Sequence, residues 1–255
     1  MISPTTLHFG LLLLGAIWAG AQNQLAGGGS FITLPALMLT GMDARAANIT
    51  STVALFPGQV TGGWIGRANA ADTAALSLRA LIAISLIGGA LGAGLLLLTP
   101  AARFAAMVPW LVLFATAAFA WGSFGRKAPM PGVATASLGP VRAGALQLAI
   151  AVYGGYFGGG IGFVMMAVLA LGGASARTAA ATKNVLAAVM NLTAVLIFLG
   201  SGEVRWLAMT VAMLGALAGS WLGAHLLARV NDRALRFVVV VIGIVLTVAL
   251  FHGRS

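Results

Sequence analysis

Apolar runs recur along the whole chain, and polar residues are confined to short stretches between them. The runs predict helical segments at 8–26, 30–40, 46–66, 78–98 and 104–122, and again at 143–157, 161–171, 178–200, 206–229 and 235–251. Most are long enough to cross the roughly 30 Å of hydrocarbon in a bilayer. Segments 30–40 and 161–171 are too short, because eleven helical residues rise only about 16 Å.

One pattern occurs in both halves of the chain: an apolar segment breaks at three consecutive glycines and then resumes. The glycines are Gly27, Gly28 and Gly29 in the first half and Gly158, Gly159 and Gly160 in the second. Aligning them also aligns Gly41 with Gly173 and Arg45 with Arg177, with one extra residue in the second copy. Glycine-interrupted apolar segments at corresponding positions of two halves indicate a secondary transporter.

The composition agrees with a membrane location. The chain is 60% hydrophobic and 7% charged, whereas soluble domains carry about 25% charged residues. It has no cysteine, which excludes disulfides and thiolate metal sites. The net charge of +10 comes from Lys and Arg residues scattered singly through the loops, so nucleic acid is not an expected partner. We also expect no signal peptide, since residues 2–8 contain no Lys or Arg.

The positions of the basic residues predict the topology, because cytoplasmic loops are enriched in Lys and Arg. If each glycine break lies within one helix that crosses once, the two sides carry seven basic residues each. If each break is instead a hairpin, one side carries ten and the other four. The ten are Arg67, Arg79, Arg126, Lys127, Arg142, Arg177, Lys183, Arg229, Arg233 and Arg236; the four are Arg45, Arg103, Arg205 and Arg254. The hairpin arrangement is therefore favoured, with both termini outside.

These features predict an all-α polytopic membrane protein of two inverted-topology repeats. Each repeat contains a Gly-broken helical hairpin and three transmembrane helices. Residues 1–122 form the first repeat, 123–142 a cytoplasmic connector, and 143–255 the second repeat.

The glycine breaks are the first candidate for a binding site. Irregular backbone is tolerated at membrane depth only where protein or a water-filled cavity surrounds it, and a helix N-terminus at such a break favours an anion. Ser30 would begin one such helix. Polar side chains that can donate hydrogen bonds precede the breaks: Gln22 and Asn23 in the first half, and Tyr153 and Tyr156 in the second. Alternatively, the glycines only allow close helix crossing, and the polar groups bond the backbone freed at the breaks.

The helix after each break carries a polar face. Asn48, Thr52 and Gln59 are spaced by four and seven residues, so they share one face of a helix. In the repeat register, Asn184 corresponds to Thr52 and Asn191 to Gln59, which favours a site between the two repeats. Interhelical hydrogen bonds of about 0.6 kcal/mol each are the alternative explanation.

Lys183 lies more than a turn inside its predicted helix. An ionisable group at that depth is a candidate functional residue, and its charge could attract an anion at the inner mouth. Alternatively, the side chain extends to the cytoplasmic headgroups.

The positions of the acidic residues and the absence of catalytic motifs both argue against an enzyme. The four acidic residues, Asp43, Asp72, Glu203 and Asp232, lie at loops or segment ends, so no carboxylate is expected at the midplane. The chain contains neither H-E-x-x-H nor G-x-S-x-G. We expect no enzymatic activity, no cofactor and no metal.

Several stretches resemble the sulfite exporter TauE/SafE family of membrane transporters. They are G-G-G-S-F-I-T-L-P-A-L from Gly27, A-A-N-I-T-S-T from Ala46, Y-G-G-Y-F-G-G-G-I-G from Tyr153, and G-E-V-R-W from Gly202. The resemblance implies export of small sulfur-containing anions such as sulfite, sulfoacetate or related organosulfonates. Gln22-Asn23-Gln24 departs from the family, where smaller residues are expected, and this could mark a different substrate.

The sequence thus predicts a small-anion transporter of the bacterial inner membrane, driven by the membrane potential and in contact with the lipid bilayer. Two alternatives remain at this stage: an anion channel of the same architecture, and a transporter of a small organic anion without sulfur.

Overall fold

In a computed structural model of the chain, the structure describes residues 4–25, 28–121, 124, 139–171, 173–226 and 232–252. Ten α-helices account for nearly all of these residues, and none of them lies in a strand. The helices are α1 Pro4–Leu25, α2 Ser30–Met38, α3 Ala44–Gly66, α4 Leu78–Leu98, α5 Ala101–Ala120, α6 Pro140–Tyr156, α7 Ile161–Leu171, α8 Ala176–Leu199, α9 Trp206–Leu226 and α10 Asp232–His252. The all-α prediction is confirmed, and predicted and observed boundaries differ by only a few residues.

The largest differences are at helix starts, where capping residues extend the helix beyond its apolar run. The Asp43 carboxylate accepts the N–H groups of Arg45 and Ala46, so α3 begins before its apolar stretch. In the same way, α6 begins at Pro140, inside the predicted connector, because proline suits the first turn of a helix. Residues 125–138 of that connector lie outside the described residues.

Much of the surface is apolar. In the part of the chain that the structure describes, three helical stretches are long and apolar enough to cross a membrane: Leu78–Leu98, Ala101–Ala120 and Arg177–Leu199. Trp206–Leu222 and Val240–His252 are shorter apolar helices. Large apolar side chains such as Ile65, Leu98 and Leu207 are mostly exposed. Such a surface suits lipid rather than water.

The contacts between helices repeat when the two halves are exchanged. By their order in the two halves, α1 corresponds to α6, α3 to α8 and α4 to α9. Both α1 and α3 pack against α9, and in the same way both α6 and α8 pack against α4. The short helices follow the same rule, since α1 contacts α2 as α6 contacts α7. α3 contacts α8, and α5 contacts α10, so each of these pairs joins corresponding helices of the two halves.

Two close contacts between helices also correspond. A Cβ atom added to Gly20 would overlap the carbonyl oxygen of Ala216, and one added to Gly88 would overlap the Cβ of Ala151. Counted from the ends of α1 and α6, Gly20 and Ala151 occupy the same position; counted from the starts of α4 and α9, so do Gly88 and Ala216. The two contacts are therefore equivalent, with glycine and alanine exchanged between the partners.

Polar contacts that involve the loops between helices lie at the two opposite ends of α3. At its start, the Arg45 guanidinium forms an ion pair with Glu203 and donates to the carbonyl of Thr99 at 2.8 Å. Beyond its end, the Ala71 N–H donates to Thr182 Oγ1 at 3.3 Å. We call these the Arg45 end and the Arg67 end of the molecule.

Candidate functional site

A cavity of ≈ 60 Å³ lies where the two glycine breaks meet α3 and α8. Both breaks and both long helices contribute to its wall. The lining residues are Asn23, Gly28 and Ser30 at the first break, Gly158, Ile161 and Gly162 at the second, Gly58, Gln59 and Gly62 from α3, and Lys183, Asn184, Ala187 and Asn191 from α8.

At the first break, the backbone turns so that α2 begins at the cavity. Gly28 has a φ of 83°, which a residue with a side chain adopts only with strain. The Asn23 side chain accepts the Gly29 N–H at 2.8 Å, and the Gly28 carbonyl accepts the Phe31 N–H at 3.0 Å. Ser30, the first residue of α2, lines the cavity between these two contacts.

The second break brings another helix start to the same cavity. Gly158 and Gly160 have φ values of 77° and 72°, and α7 begins immediately afterwards at Ile161. The first N–H groups of a helix have no partner within it, and they carry a partial positive charge. Because the starts of α2 and α7 face one cavity, both contribute positive potential to it.

Lys183 supplies a full positive charge to the cavity. Its side chain is buried, with 7% exposure, and within the described residues it forms no hydrogen bond or ion pair. None of the lining residues is acidic. A buried ammonium group without a counter-ion is costly, so an anion in the cavity would relieve this cost.

Amide side chains complete the polar lining. Gln59 and Asn191 occupy corresponding positions, counted from the starts of α3 and α8. Gln59 Oε1 is buried without a partner, whereas Asn191 Nδ2 donates to the carbonyl of Ala187 at 3.0 Å. The cavity thus combines one ammonium, two helix starts and several amides, which together suit a small anion better than a cation.

About half of the residues proposed from the sequence line this cavity: Asn23, Gly28, Ser30, Gln59, Gly158, Lys183, Asn184 and Asn191. Gln22, Gly29, Asn48, Thr52, Tyr153, Tyr156, Gly159 and Gly160 do not line it, and Gly27 lies outside the described residues.

The polar residues outside the cavity bond to the protein itself. Asn48 Nδ2 donates to the Tyr156 carbonyl at 3.2 Å, which links the two halves, and Thr52 Oγ1 donates to the carbonyl of Asn48. The Tyr153 hydroxyl donates to the carbonyl of Leu111 at 3.3 Å. Gln22 Oε1 accepts the indole N–H of Trp18 at 3.2 Å.

Five lining residues were not proposed from the sequence: Gly58, Gly62, Ile161, Gly162 and Ala187. None carries a polar side chain, so chemistry alone could not identify them. Helical spacing could have found some of them, because Ala187 lies four residues from both Lys183 and Asn191.

Among the described residues, no three His, Cys, Asp or Glu side chains group closely enough to hold a metal ion.

Comparisons with known proteins agree with a transporter. A family model described as sulfite exporter TauE/SafE matches residues 12–250. The chain is 28% identical over 264 residues to the probable membrane transporter protein YfcA of Escherichia coli K12, covering all of this chain and 94% of the relative. It is 28% identical over 242 residues to a probable membrane transporter protein of Haemophilus influenzae, covering 91% and 90% of the two chains. No solved structure matches the chain significantly.

Proposed function

The chain belongs to the sulfite exporter TauE/SafE family of membrane transporters, and from this premise we propose that it exports a small sulfur-containing oxyanion, with sulfite preferred over larger organosulfonates. The anion binds in the cavity between the two glycine breaks. The protein works in the bacterial inner membrane, and the membrane potential drives the export.

The observation that carries this proposal is the charge balance of the cavity. Lys183 is buried there without a counter-ion among the described residues, and the starts of α2 and α7 add positive potential. An oxyanion would accept hydrogen bonds from the ammonium group and from the amides of Gln59 and Asn184, while the partial positive charge of the two helix starts would stabilise it further. Such charge-assisted hydrogen bonds are roughly twice as strong as those between neutral groups.

The size of the cavity supports sulfite within the family's range of anions. A volume of ≈ 60 Å³ holds about four water molecules at roughly 15 Å³ each. Sulfite has four non-hydrogen atoms, whereas sulfoacetate has eight and carries a second anionic group. Among the described residues, Lys183 is the only charged side chain that lines the cavity, so a second anionic group would be desolvated without a matching cation.

The inverted-repeat arrangement is part of the proposal, and three observations support it. The helix contacts are exchanged between the halves. Gly15 of α1 lies against Ile32 and Ala36 of α2, which fits a hairpin that turns back at the glycine break. The neighbours of Gly63 and Gly66 shift from Ala188 back to Ala181, so α3 and α8 run antiparallel. A two-fold axis in the membrane plane relates antiparallel helices in this way.

We propose that the Arg67 end is cytoplasmic and that both termini are outside. In support, the connection after α3 touches the start of α8, so Arg67, Arg79 and Arg177 lie towards one end, opposite Arg45 and Arg205. Single cysteines can be introduced at Ser3 and Ser137, because the chain has no native cysteine. An impermeant maleimide should label Ser3→Cys in intact cells and Ser137→Cys only after lysis; the opposite pattern would overturn the orientation.

The binding proposal is tested with Lys183→Gln in purified protein. Sulfite should raise the melting temperature of the wild type, and sulfoacetate should do so less. Loss of the buried positive charge should weaken sulfite binding by roughly ten- to a hundredfold, because hydrogen bonds to charged groups contribute about 1.5–3 kcal/mol.

Arg79→Gln is the matched control, since Arg79 is exposed and does not line the cavity. Equal loss of affinity in both variants would mean that only net charge matters, and the assigned site would be wrong. In proteoliposomes, saturable flux with counterflow would identify a carrier. Unitary conductance would instead identify an anion channel.

A further inference from the structure

The cavity is not centred between the two halves. Gln59 and Asn191 occupy corresponding positions of α3 and α8 and line the same cavity, so the axis relating the halves passes near them. The remaining α3 and α8 residues of the lining extend mainly towards one end. Gly62 is close to the end of α3 at Gly66, and Lys183 and Asn184 are in the first half of α8. The cavity therefore reaches from the axis towards the Arg67 end.

The corresponding positions on the other side of the axis are closed. Counted from the starts of α3 and α8, the counterparts of Gly62, Lys183, Asn184 and Ala187 are Ala194, Ser51, Thr52 and Leu55. Ala194 and Ser51 have 0% exposure and Leu55 has 2%, whereas Thr52 is partly buried; none of the four lines the cavity.

Side-chain contacts fill the space on this closed side. Ser51 Oγ and Thr33 Oγ1 are 2.5 Å apart. Leu55 packs against Ala19 and Ala216 in a small apolar cluster. One half of the pseudo-symmetric path thus contains the cavity, whereas the other half is packed; we call them the open and the closed end.

An ion pair joins three connections at the closed end. The Arg45 guanidinium, at the start of α3, pairs with Glu203 between α8 and α9 and donates to the Thr99 carbonyl between α4 and α5. Next to it, the Arg205 N–H donates to Thr50 Oγ1 at 3.2 Å. The pair therefore ties the first half of the chain to the second directly over the packed positions.

The open end has no equivalent among the described residues. Arg177 takes the place of Arg45 in the second repeat, but it is exposed and forms no ion pair there. The nearest acidic residue in sequence on the facing connection, Asp72, accepts the Leu78 N–H at 2.8 Å instead.

We propose that the Arg45–Glu203 ion pair is the latch of a gate that closes the anion path at the Arg45 end. The structure is the state accessible from the Arg67 end. When the ion pair breaks, the closed end opens and the open end closes. The path at the Arg45 end is then lined by Ser51, Thr52, Leu55 and Ala194. This inference rests on the proposed transport function and adds the residues that control access.

The test measures accessibility from each side of the membrane. In the otherwise cysteine-free chain, Thr52→Cys reports on the closed side and Ala187→Cys on the cavity. Each is labelled with an impermeant maleimide in right-side-out and inside-out vesicles. With Glu203→Gln, labelling of Thr52→Cys from the Arg45 end should become about fivefold faster, the size expected for a partly exposed ion pair. Labelling of Ala187→Cys from the Arg67 end should slow.

Two further variants make the result specific to the ion pair. Asp72→Asn removes an exposed carboxylate at the opposite end and should leave both labelling rates unchanged. The charge swap Arg45→Glu with Glu203→Arg should restore the wild-type rates in part, because it re-forms the ion pair but loses the hydrogen bond that Arg45 donates to the Thr99 carbonyl. Unchanged labelling in Glu203→Gln, or a swap that behaves like the single variant, would overturn the latch.

Arg45→Gln provides a second way to break the pair. If neither single variant elutes as folded protein, the pair is a structural contact and the latch is wrong. Sulfite binding, measured on the same wild-type preparation by thermal shift, separates the two proposals. Absence of binding counts against the anion site, whereas normal binding with unaltered labelling counts only against the latch.

Discussion

Gln59 and Asn184 stand on neighbouring helices with their amides at one cavity, and within the described residues neither side chain has a hydrogen-bond partner. Buried polar groups are normally satisfied, so unpaired amides at a cavity wall indicate a ligand. Asn48 is the contrast, because its amide donates to the carbonyl of Tyr156 and lies outside the cavity.

We therefore expect Gln59→Ala and Asn184→Ala each to weaken sulfite binding by roughly ten- to a hundredfold, since each removes a hydrogen bond of about 1.5–3 kcal/mol to a charged group. Melting temperature without ligand should change little in both. Asn48→Ala should do the reverse, lowering the melting temperature with little direct effect on affinity. Titration calorimetry and thermal unfolding measure the two quantities; wild-type affinity in both cavity variants would show that these amides only pack.

The types of residue in the sequence predicted part of the cavity lining, and there is a physical reason why they could not predict the rest. Gln59, Asn184 and Asn191 were identifiable because polar side chains in apolar helices stand out at helical spacing. The same criterion selected Asn48 and Thr52, whose hydrogen bonds go to backbone carbonyls. Sequence alone cannot separate these two uses of a polar group, because the choice depends on which backbone lies opposite. Gly62 and Gly162 contribute through their lack of a side chain, which leaves no chemical signal.

At the scale of helices, small residues decide how closely α4 and α6 approach. Gly92 of α4 faces the backbone of α6: an added Cβ would overlap the Val152 carbonyl oxygen and lie 2.7 Å from the Tyr156 nitrogen. Gly94, on the same helix, has nothing within 4 Å of an added Cβ. The two glycines therefore form a matched pair for testing the packing.

Gly92→Ala should reduce stability by about 1–3 kcal/mol, the usual cost of overpacking a tight contact. Because backbone rather than a flexible side chain lies opposite, the helices have to move apart. Gly94→Ala should leave the melting temperature unchanged or slightly higher, since alanine is the better helix former. Thermal unfolding in detergent compares the two; an equal melting temperature in both would argue against close packing at Gly92.

Helix positions were more predictable than helix contacts. Apolar runs and glycine breaks specify where α2 and α7 begin, and Ser30 and Ile161 start these helices as the repeat register requires. The cap Asp43 and the first-turn proline Pro140 shifted other boundaries outward, because they act from outside the apolar run. The pairing of α1 with α9 and of α6 with α4 depends on small residues far apart in sequence, which no local pattern reveals.

At the scale of the whole molecule, the positions of charges connect architecture with transport. Among the described residues, no carboxylate lines the cavity. Asp43, Asp72 and Glu203 all lie at connections between helices. A coupling proton would normally bind a carboxylate within the membrane. Lys183, in contrast, lines the cavity, where its charge would attract the proposed anion. This distribution favours a carrier that moves the anion alone.

Such a carrier should follow the membrane potential. Moving one negative charge out of a cell held at about −100 mV releases roughly 2.3 kcal/mol, which supports a concentration ratio of about fiftyfold for a monoanion. In proteoliposomes with a K⁺ gradient and valinomycin, sulfite flux should rise with the imposed potential. At fixed potential it should not respond to opposed pH or Na⁺ gradients, provided that the fraction of monoanion is held constant. Uphill accumulation driven by either gradient at zero potential would show that a coupling ion binds elsewhere in the chain, and the uniport mechanism would then be wrong.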